Sequence, residues 1–356
     1  MSALYNEDIA SIVRAADVPW DELADKTIVV TGATGLVGGM VARALVAYGA
    51  AHDKGVRVVL PVRNLDKARA QFDDATDVEL VLWDATSGAV PNVSTCDYII
   101  HCASNTDSRR MVEYPVDTVL ATVEGTRSML ELARATGARL CFVSSMEVYG
   151  AGSREPLAES CGGALDAMSV RSSYPQAKQL AETLCASYAK QYGVAACVAR
   201  LAQSFGPGIA ATDRRVFAEF ARCCREGRDI HLLTDGSKSN MYVYTADAVR
   251  ALLLLVARGA SGEAYNVANE ATFYSIWEMA HMVAQLFGTT TQVTRVIDKE
   301  AAGRYAVSGR IWMDTSKLRA LGWAPTADLP TMYARMMADW DASTDVPAQA
   351  EETNHA

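Results

Sequence analysis

Two residues of this sequence, a tyrosine and a lysine four positions apart, are suited to moving a proton. Tyr174 and Lys178 stand at the start of an amphipathic stretch, so on a helix both side chains lie on one face. A nearby ammonium group lowers the pKa of a phenol towards the working range. The tyrosine then acts as a general acid and base for a hydroxyl group whose carbon gains or loses hydride. Because this spacing is common, the interpretation needs support from the elements around it.

Two serines end the apolar run that precedes the tyrosine. Ser144 and Ser145 close the segment RLCFVSS, which has the length and composition of a buried strand. Ligands of parallel sheets bind outside the carboxyl ends of the strands. We therefore expect both serines to lie near Tyr174 and Lys178.

A glycine-rich turn occurs near the start of the chain. The segment TGATGLVG at 31–38 follows a predicted strand and opens a predicted helix, which is the context that this glycine spacing needs. Gly32 allows the tight turn, Gly35 lets the backbone approach a pyrophosphate, and Gly38 lets helix and strand pack closely. The free N–H groups and the positive dipole end at the start of the helix attract phosphates. Together with the Tyr–Lys pair, the turn predicts a nicotinamide dinucleotide held by Gly32, Thr34, Gly35, Leu36 and Val37.

The end of the second predicted strand bears on the choice between NAD and NADP. An acidic residue there would bind the ribose hydroxyls of NAD, whereas an arginine suits the 2′-phosphate of NADP. The strand ends with Arg63 and has no carboxylate, which favours NADP over NAD. The alternative is a solvated arginine at the start of the next helix. Asp84, with Ala85 beside it, either accepts a hydrogen bond from the adenine amino group or caps a turn.

Short β-branched runs alternate with amphipathic stretches from Lys26 onward, which predicts a parallel sheet covered on both faces. After Gly206 the strands become shorter. We therefore predict an α/β protein, a Rossmann-type doubly wound parallel sheet with a smaller, mostly C-terminal α/β substrate lobe. The predicted parts are a helical extension at 1–25, a dinucleotide-binding domain at 26–206, an interleaved substrate-binding lobe mainly at 207–340 and a disordered tail at 344–356.

The composition disfavours several classes of protein. The chain has 356 residues, half of them hydrophobic, so it can bury a large core. Its net charge of -9 repels nucleic acid and anionic lipid, which favours a small-molecule ligand. The longest apolar run, at 251–257, is too short to cross a bilayer, and the first residues do not resemble a signal peptide. Eight cysteines without metal-ligand spacing predict a reduced, cytoplasmic protein with no metal site.

The sequence resembles the extended short-chain dehydrogenase/reductase family, and within it the NAD-dependent epimerase/dehydratase branch. The resemblance spans roughly residues 26–340. The matching motifs, in the family's order, are TGATGLVG at 31–38, HCAS at 101–104, SSMEVYG at 144–150, YPQAK at 174–178 and RLAQSFGPG at 200–208.

The resemblance implies roles for these residues. Ser145 would hydrogen-bond the reacting oxygen, Tyr174 would move its proton, and Lys178 would bind the nicotinamide ribose and tune the tyrosine. Further cofactor contacts would be Cys102, Ala103, Ser104 and Ser144. The usual substrate is a nucleotide-activated sugar, and most such enzymes return the hydride and so regenerate their cofactor. The family also implies a homodimer in which helices at 118–136 and 173–192 of two subunits form a four-helix bundle.

The residues after Ser145 distinguish reactions within the family. Family dehydratases resemble Thr-Asp-Glu here, with the aspartate as the acid for the departing water. This chain has Met146 and Glu147, and because methionine donates no proton, a 4,6-dehydratase is disfavoured. Glu147 also occurs in this context in the branch that resembles UDP-glucuronate decarboxylases, where it would assist after oxidation. The alternative is a carboxylate that only braces the loop. Glu147 is thus a catalytic candidate and Met146 a candidate substrate contact.

The substrate lobe departs from the family at Asn240, which occupies the place of an arginine that grips the substrate diphosphate. Arg214, Arg215, Arg304 and Arg310 are candidates to replace it, with Gln203 as a further substrate contact. The leading hypothesis is an NAD(P)-dependent nucleotide-sugar-modifying enzyme, an epimerase or decarboxylase more than a 4,6-dehydratase. The alternative is an NADPH-dependent carbonyl reductase of a non-nucleotide substrate, which Arg63 favours. A third hypothesis is a non-catalytic dinucleotide-binding protein.

Overall fold

The computed structural model describes residues 1–52, 55–73, 75, 77–297 and 309–344. Arg304 lies outside the described residues, as does the predicted tail at 344–356 apart from its first residue. The strands are β1 Thr27–Thr31, β2 Arg57–Val62, β3 Val78–Leu82, β4 Tyr98–His101, β5 Arg139–Ser145, β6 Ala196–Leu201, β7 Gln203–Phe205, β8 Ile230–Leu232, β9 Ser239–Tyr244, β10 Ala264–Val267, β11 Asn269–Ser275 and β12 Val293–Arg295. The α-helices are α1 Ala3–Val13, α2 Trp20–Leu23, α3 Leu36–His52, α4 Leu65–Phe72, α5 Ser108–Glu113, α6 Pro115–Thr136, α7 Ser173–Tyr192, α8 Val216–Arg225, α9 Thr245–Arg258, α10 Ile276–Phe287, α11 Ser316–Arg319 and α12 Leu329–Thr344. Short 3-10 turns are found at Ala85–Ser87, Met146–Tyr149 and Val170–Ser172.

The central sheet has seven strands in the order β3-β2-β1-β4-β5-β6-β10, and every neighbouring pair is parallel. Its inner strands are built mainly from β-branched and other apolar residues that are almost completely buried, as expected where helices cover both faces, whereas the edge strand β3 is only partly buried. Alternate side chains of β1 enter different cores: Ile28 and Val30 face one side and Val29 the other. The second core also contains residues of α6 and α7. The predicted Rossmann-type α/β fold is confirmed.

The strand order reverses direction between β1 and β4, where Thr31 pairs with His101. In a sheet of this kind the ligand crevice lies outside the carboxyl ends of the strands at that reversal. The glycine turn, the HCAS segment and the two serines all follow strands that end at this edge.

The smaller lobe contains a three-stranded sheet, β11-β9-β7, and the parallel pair β12-β8. The chain enters this lobe at β7, immediately after β6, and returns to the central sheet at β10. β7, from the predicted dinucleotide-binding domain, thus lies in the smaller lobe, and β10, from the predicted substrate lobe, lies in the central sheet. The division at 206 stays a prediction.

The N-terminal extension is a packed part of the protein. Tyr5, Ile9 and Ile12 of α1 are buried in the larger core. The phenol of Tyr244 in β9 donates a hydrogen bond to Asp8 Oδ2 at 2.6 Å, and Arg335 of α12 donates to Asp8 Oδ1 at 2.9 Å. The extension thus links the two lobes. Over the described residues, no helix combines the length and the apolar character that a bilayer span needs.

Candidate active site

The glycine turn leaves no room for a side chain at Gly32 or Gly38. Gly32 has a φ of 70°, and a Cβ atom there would lie 2.9 Å from the backbone nitrogen of Ala103. A Cβ atom at Gly38 would lie 2.6 Å from the carbonyl oxygen of Gly32. Since α3 begins at Leu36, the N–H groups of its first turn, at Leu36 and Val37, have no carbonyl partner within the helix. The turn therefore fits the pyrophosphate of a dinucleotide, with Thr34 and Gly35 at its partly exposed tip.

A hydrogen-bonded link joins the ends of β1 and β4 beside this turn. The hydroxyl of Thr31 accepts from the backbone nitrogen of Ala103 at 3.1 Å and bonds to His101 Nδ1 at 2.7 Å. Cys102, Ala103 and Ser104 are only partly buried and lie just after the end of β4. The structure thus brings the HCAS segment to the glycine turn.

Arg63 and Asp84 follow β2 and β3 at the same edge of the sheet. Arg63 is exposed, and its positive charge acts on the Asp84 carboxylate. Oδ1 of Asp84 accepts hydrogen bonds from the backbone nitrogen and hydroxyl of Thr86, at 2.9 and 2.8 Å. The backbone hydrogen bond from Thr86 is the largest cause that lowers the pKa of Asp84. Asp84 therefore caps the turn at 85–87, and Ala85 packs against Gly125 of α6.

Ser145, Tyr174 and Lys178 meet where β5 ends and α7 begins. The Ser145 hydroxyl lies close enough to the Tyr174 phenol to lower its pKa. Lys178 Nζ donates to the carbonyl oxygen of Val143 at 2.7 Å and lies 5.8 Å from the centroid of the Tyr174 ring. Tyr174 is 6% exposed and Lys178 is 2% exposed. The predicted catalytic trio is thus assembled in a buried site.

The electrostatics of this trio differ from the sequence-based expectation. Burial raises the pKa of the Tyr174 phenol well above its usual value, and the negative charge of Glu147 raises it further. The Ser145 hydroxyl and the charge of Arg171 oppose this. Burial also lowers the pKa of Lys178 to about 8. Desolvation outweighs the predicted influence of the ammonium group because Nζ is bound to the Val143 carbonyl and not to the phenol.

A cluster of charged side chains lies beside the trio. Arg171 Nη2 donates to both carboxylate oxygens of Glu147, at 3.2 and 2.9 Å, and the two side chains are 17% and 26% exposed. Burial lowers the pKa of Lys238, with Glu147 raising it and Arg171 lowering it, so Lys238 lies within electrostatic range of this pair. Met146 is buried and gives the cluster no ionisable group. We call Glu147, Arg171 and Lys238 the charged cluster.

Sequence reasoning missed Arg171 and Lys238. Arg171 stands three residues before Tyr174, in the 3-10 turn that leads into α7. Lys238 stands two residues before Asn240, and alternation along an extended strand places both on one side. Lys238 therefore places a positive charge two positions before Asn240, where the resemblance leads one to expect an arginine.

The predicted substrate contacts lie on two neighbouring strands and one loop. Gln203 of β7 pairs with Tyr242 of β9, so it shares a face with Asn240. Within the described chain, Oε1 of Gln203 and Oδ1 of Asn240 are buried and have no hydrogen-bond partner. Arg215, by contrast, makes three hydrogen bonds to Asp213, at 2.7 to 3.2 Å. The two amide side chains remain available to a ligand, whereas the charge of Arg215 is already neutralised.

Comparison with known proteins assigns the family. Residues 28–268 match the model of the NAD dependent epimerase/dehydratase family. UDP-glucuronic acid decarboxylase 3 of Arabidopsis thaliana is 30% identical over 270 residues, which are 76% of this chain and 76% of the relative. UDP-glucuronic acid decarboxylase 1 of Xenopus tropicalis is 29% identical over 309 residues, 85% of this chain and 69% of the relative.

Solved structures share the fold. The dTDP-glucose 4,6-dehydratase of Streptomyces venezuelae, with NAD bound, superposes with a TM-score of 0.72 at 23% identity, covering 90% of this chain and 98% of the other. The UDP-glucuronic acid 4-epimerase of Bacillus cereus gives a TM-score of 0.70 at 18% identity, covering 88% and 99%. The chain belongs to the NAD-dependent epimerase/dehydratase family and is an NAD(P)-dependent enzyme of the extended short-chain dehydrogenase/reductase type.

Proposed function

We propose that this enzyme decarboxylates a nucleotide-linked hexuronic acid after transient oxidation of the sugar. The observation that carries the proposal is the charged cluster. Two cations and one carboxylate leave a net positive charge next to Ser145 and Tyr174, where a sugar carboxylate would be stabilised. The similarity to UDP-glucuronic acid decarboxylases supports the same substrate class.

Ser145 and Tyr174 have separate roles in this reaction. Ser145 donates a hydrogen bond to the reacting sugar oxygen, and Tyr174, in its phenolate form, accepts the hydroxyl proton as the carbon is oxidised. A nicotinamide dinucleotide held at the glycine turn would supply the acceptor for the hydride and the donor for its return. The new ketone lies next to the carbon that bears the carboxylate, so the electron pair of the breaking C–C bond passes into an enolate and CO2 leaves. One proton then adds to that carbon, Tyr174 returns its proton to the oxygen, and the net reaction consumes one proton and releases one CO2.

Glu147 and Arg171 are suited to the loss of CO2 and the protonation that follows it. Arg171 Nη2 binds both oxygens of Glu147, and a substrate carboxylate would compete for the same guanidinium. That competition would free Glu147 to handle the proton that replaces CO2. Met146 stands where a dehydratase has its acid, so loss of water from the sugar lacks a proton donor at this position.

Incubation with UDP-glucuronic acid, UDP-galacturonic acid and UDP-glucose, with NAD or NADP added, tests the proposal. We expect a UDP-pentose and CO2 from one uronic acid, no product from UDP-glucose, and no net change in nicotinamide absorbance. A product with unchanged mass would identify an epimerase and refute the decarboxylation. No turnover with any of the three sugars would refute the nucleotide-uronate assignment itself.

A carbonyl reductase is the second candidate function. It is supported by Asn240, which cannot pair with a diphosphate as an arginine does, and by Arg215, which is bound to Asp213. A reductase would consume NADPH in proportion to a simple ketone or aldehyde supplied without any nucleotide sugar. A non-catalytic role, the third candidate, would leave every turnover unchanged in a Tyr174→Phe variant.

We also infer a preference for NADP over NAD from Arg63, which is exposed at the end of β2. Titration of the protein with each dinucleotide by isothermal calorimetry measures this preference. An Arg63→Glu variant should lose affinity for NADP and keep its affinity for NAD. Equal losses of affinity for NADP and for NAD would contradict the role of Arg63 in this preference.

A homodimer is supported by exposed apolar side chains around α5, α6 and α7. They are Val112, Tyr114, Val116, Leu120, Val170, Leu180 and Tyr192. A face of this kind is typical of subunit contact. Light scattering coupled to gel filtration should give twice the monomer mass, and a Leu120→Glu/Leu180→Glu variant should give the monomer. A monomeric wild-type protein would refute this inference.

A reducing, cytoplasmic location is supported by the cysteines, all eight of which are free. Fractionation of cells that express the tagged protein tests the location, and recovery in an exported fraction would overturn it.

A further inference from the structure

A buried ion pair lies directly behind the catalytic residues. Glu182 is on α7, four residues after Lys178, and Arg200 is on the neighbouring strand β6. Arg200 Nη2 donates to Glu182 Oε2 at 2.7 Å, and Nε donates to both carboxylate oxygens at 3.1 Å. The side chains are 11% and 13% exposed. Two charges held in this way are desolvated and well ordered.

The glutamate contacts the catalytic strand on its other side. The hydroxyl of Ser144 donates to Glu182 Oε1 at 2.5 Å, so the residue before Ser145 is fixed to α7. Glu182 is also one helical turn from Lys178. Burial lowers the pKa of that lysine, whereas Cys102 and then Glu182 raise it. One carboxylate thus acts on two neighbours of the reacting centre.

The arginine extends the network to the loop that carries Glu147. Arg200 Nη1 donates to the phenol oxygen of Tyr149 at 2.9 Å and to the carbonyl oxygen of Glu159 at 2.8 Å. The Tyr149 phenol in turn donates to Oδ1 of Asn266, a residue of β10, at 2.8 Å. The ion pair therefore connects α7, the end of β5, the loop after it and β10.

Cys102 and Cys185 also face Lys178 and raise its pKa, but a thiol counters the lysine charge only when it is ionised. From β4 and the segment after it come His101, whose pKa burial lowers to about 3, and Cys102, whose pKa burial raises to about 12. From α7 come Tyr174 and Cys185, whose pKa values burial also raises. From β5 come the neutral ring of Phe142 and the carbonyl group of Val143. Among these neighbours, only Glu182 supplies a countercharge.

We propose that Glu182, anchored by Arg200, is a positioning residue that fixes Ser144 at the end of β5 and keeps the buried Lys178 protonated for cofactor binding and proton transfer. This role of Glu182 applies to every reaction that uses Tyr174 and Lys178, so it does not depend on which sugar is the substrate. A purely structural ion pair would affect stability without changing the titration of Lys178.

The direct test is the titration of Lys178 in the enzyme without added ligand. Protein labelled with [13C]lysine would be followed by NMR as a function of pH, and the Lys178 signal assigned by its absence in Lys178→Arg. We expect a midpoint near 8 in the wild type. In Glu182→Gln the midpoint should fall by about one pH unit, since one negative charge is lost nearby. The basic limb of the pH profile of kcat/KM should move downward by the same amount.

A matched control separates this effect from general destabilisation. Asp17 and Arg250 form another ion pair with similarly buried side chains, at 9% and 13% exposure, between the N-terminal extension and α9. Asp17→Asn should lower the melting temperature and leave the Lys178 midpoint unchanged.

Glu182→Gln leaves Arg200 buried without its carboxylate, which threatens folding. The double variant Glu182→Gln/Arg200→Gln removes both charges and serves as the second test, with a smaller downward shift expected. A Lys178 midpoint that is unchanged in whichever of these variants folds would overturn the proposal. A shift of equal size in Asp17→Asn would overturn it as well.

Discussion

Removing Arg171 should impair turnover of a uronic acid far more than it impairs binding of a neutral sugar. In Arg171→Ala the substrate carboxylate loses a hydrogen bond from a charged donor, and such bonds contribute about 1.5–3 kcal/mol. The kcat/KM for the preferred UDP-hexuronic acid should therefore fall about 10- to 150-fold. Binding of UDP-glucose, which has no carboxylate, should change much less.

The assay compares kcat/KM for the uronic acid, from CO2 release, with the dissociation constant of UDP-glucose, from calorimetry. Arg171→Lys keeps the positive charge and should recover part of the loss, although its single ammonium group does not reproduce the guanidinium geometry. Because Glu147 loses its partner, the melting temperature should fall too. Arg250→Ala, which breaks another buried ion pair far from the charged cluster, should lower the melting temperature without selective loss of the uronic acid. Equal losses for both sugars, or none for the uronic acid, would refute the carboxylate-binding role of Arg171.

Three further predictions concern other parts of the site. Tyr174→Phe should lower kcat by about 10²- to 10⁴-fold, measured as product formation, while NAD binding stays near the wild-type level; unchanged turnover would remove Tyr174 from the chemistry. Gly38→Ala places a Cβ atom 2.6 Å from the Gly32 carbonyl oxygen. It should destabilise the fold by about 1–3 kcal/mol in urea unfolding and weaken dinucleotide binding, and wild-type values for both would contradict the packing argument. Burial lowers the pKa of His101 from 6.5 to about 3, so between these pH values the unfolded chain binds a proton that the native state does not. The free energy of unfolding should fall as the pH falls through this window, and His101→Gln should reduce that slope in urea titrations at several pH values; an unchanged slope would show that His101 is not responsible.

Features set by local sequence were predictable. The glycine turn, the strand before it and the start of α7 follow from residue type and spacing within short segments. The central sheet follows from the alternation of apolar strands with helices, because so many buried parallel strands leave few other arrangements. The placement of Ser145 beside Tyr174 follows from the same rule, since both lie at the carboxyl edge of that sheet.

Features that depend on long-range approach were not predictable in this way. The contact between Glu147 and Arg171 joins residues 24 positions apart through two 3-10 turns. Lys238 reaches the same cluster from the smaller lobe. The raised pKa of Tyr174 was not predictable either, because spacing on a helix gives proximity, whereas the pKa depends mainly on burial. The preference for NADP and the dimer remain predictions.

The position of β10 has a consequence for the synthesis of this protein. Residues 264–267 form the last strand of the central sheet, yet the ribosome makes them after β7, β8 and β9 of the smaller lobe. Until they emerge, β6 is an unprotected edge strand, and exposed edges invite pairing with other chains. A fragment that ends at 206 should therefore aggregate, and the nascent chain completes its nucleotide-binding sheet only after β7, β8 and β9 of the second lobe have been translated.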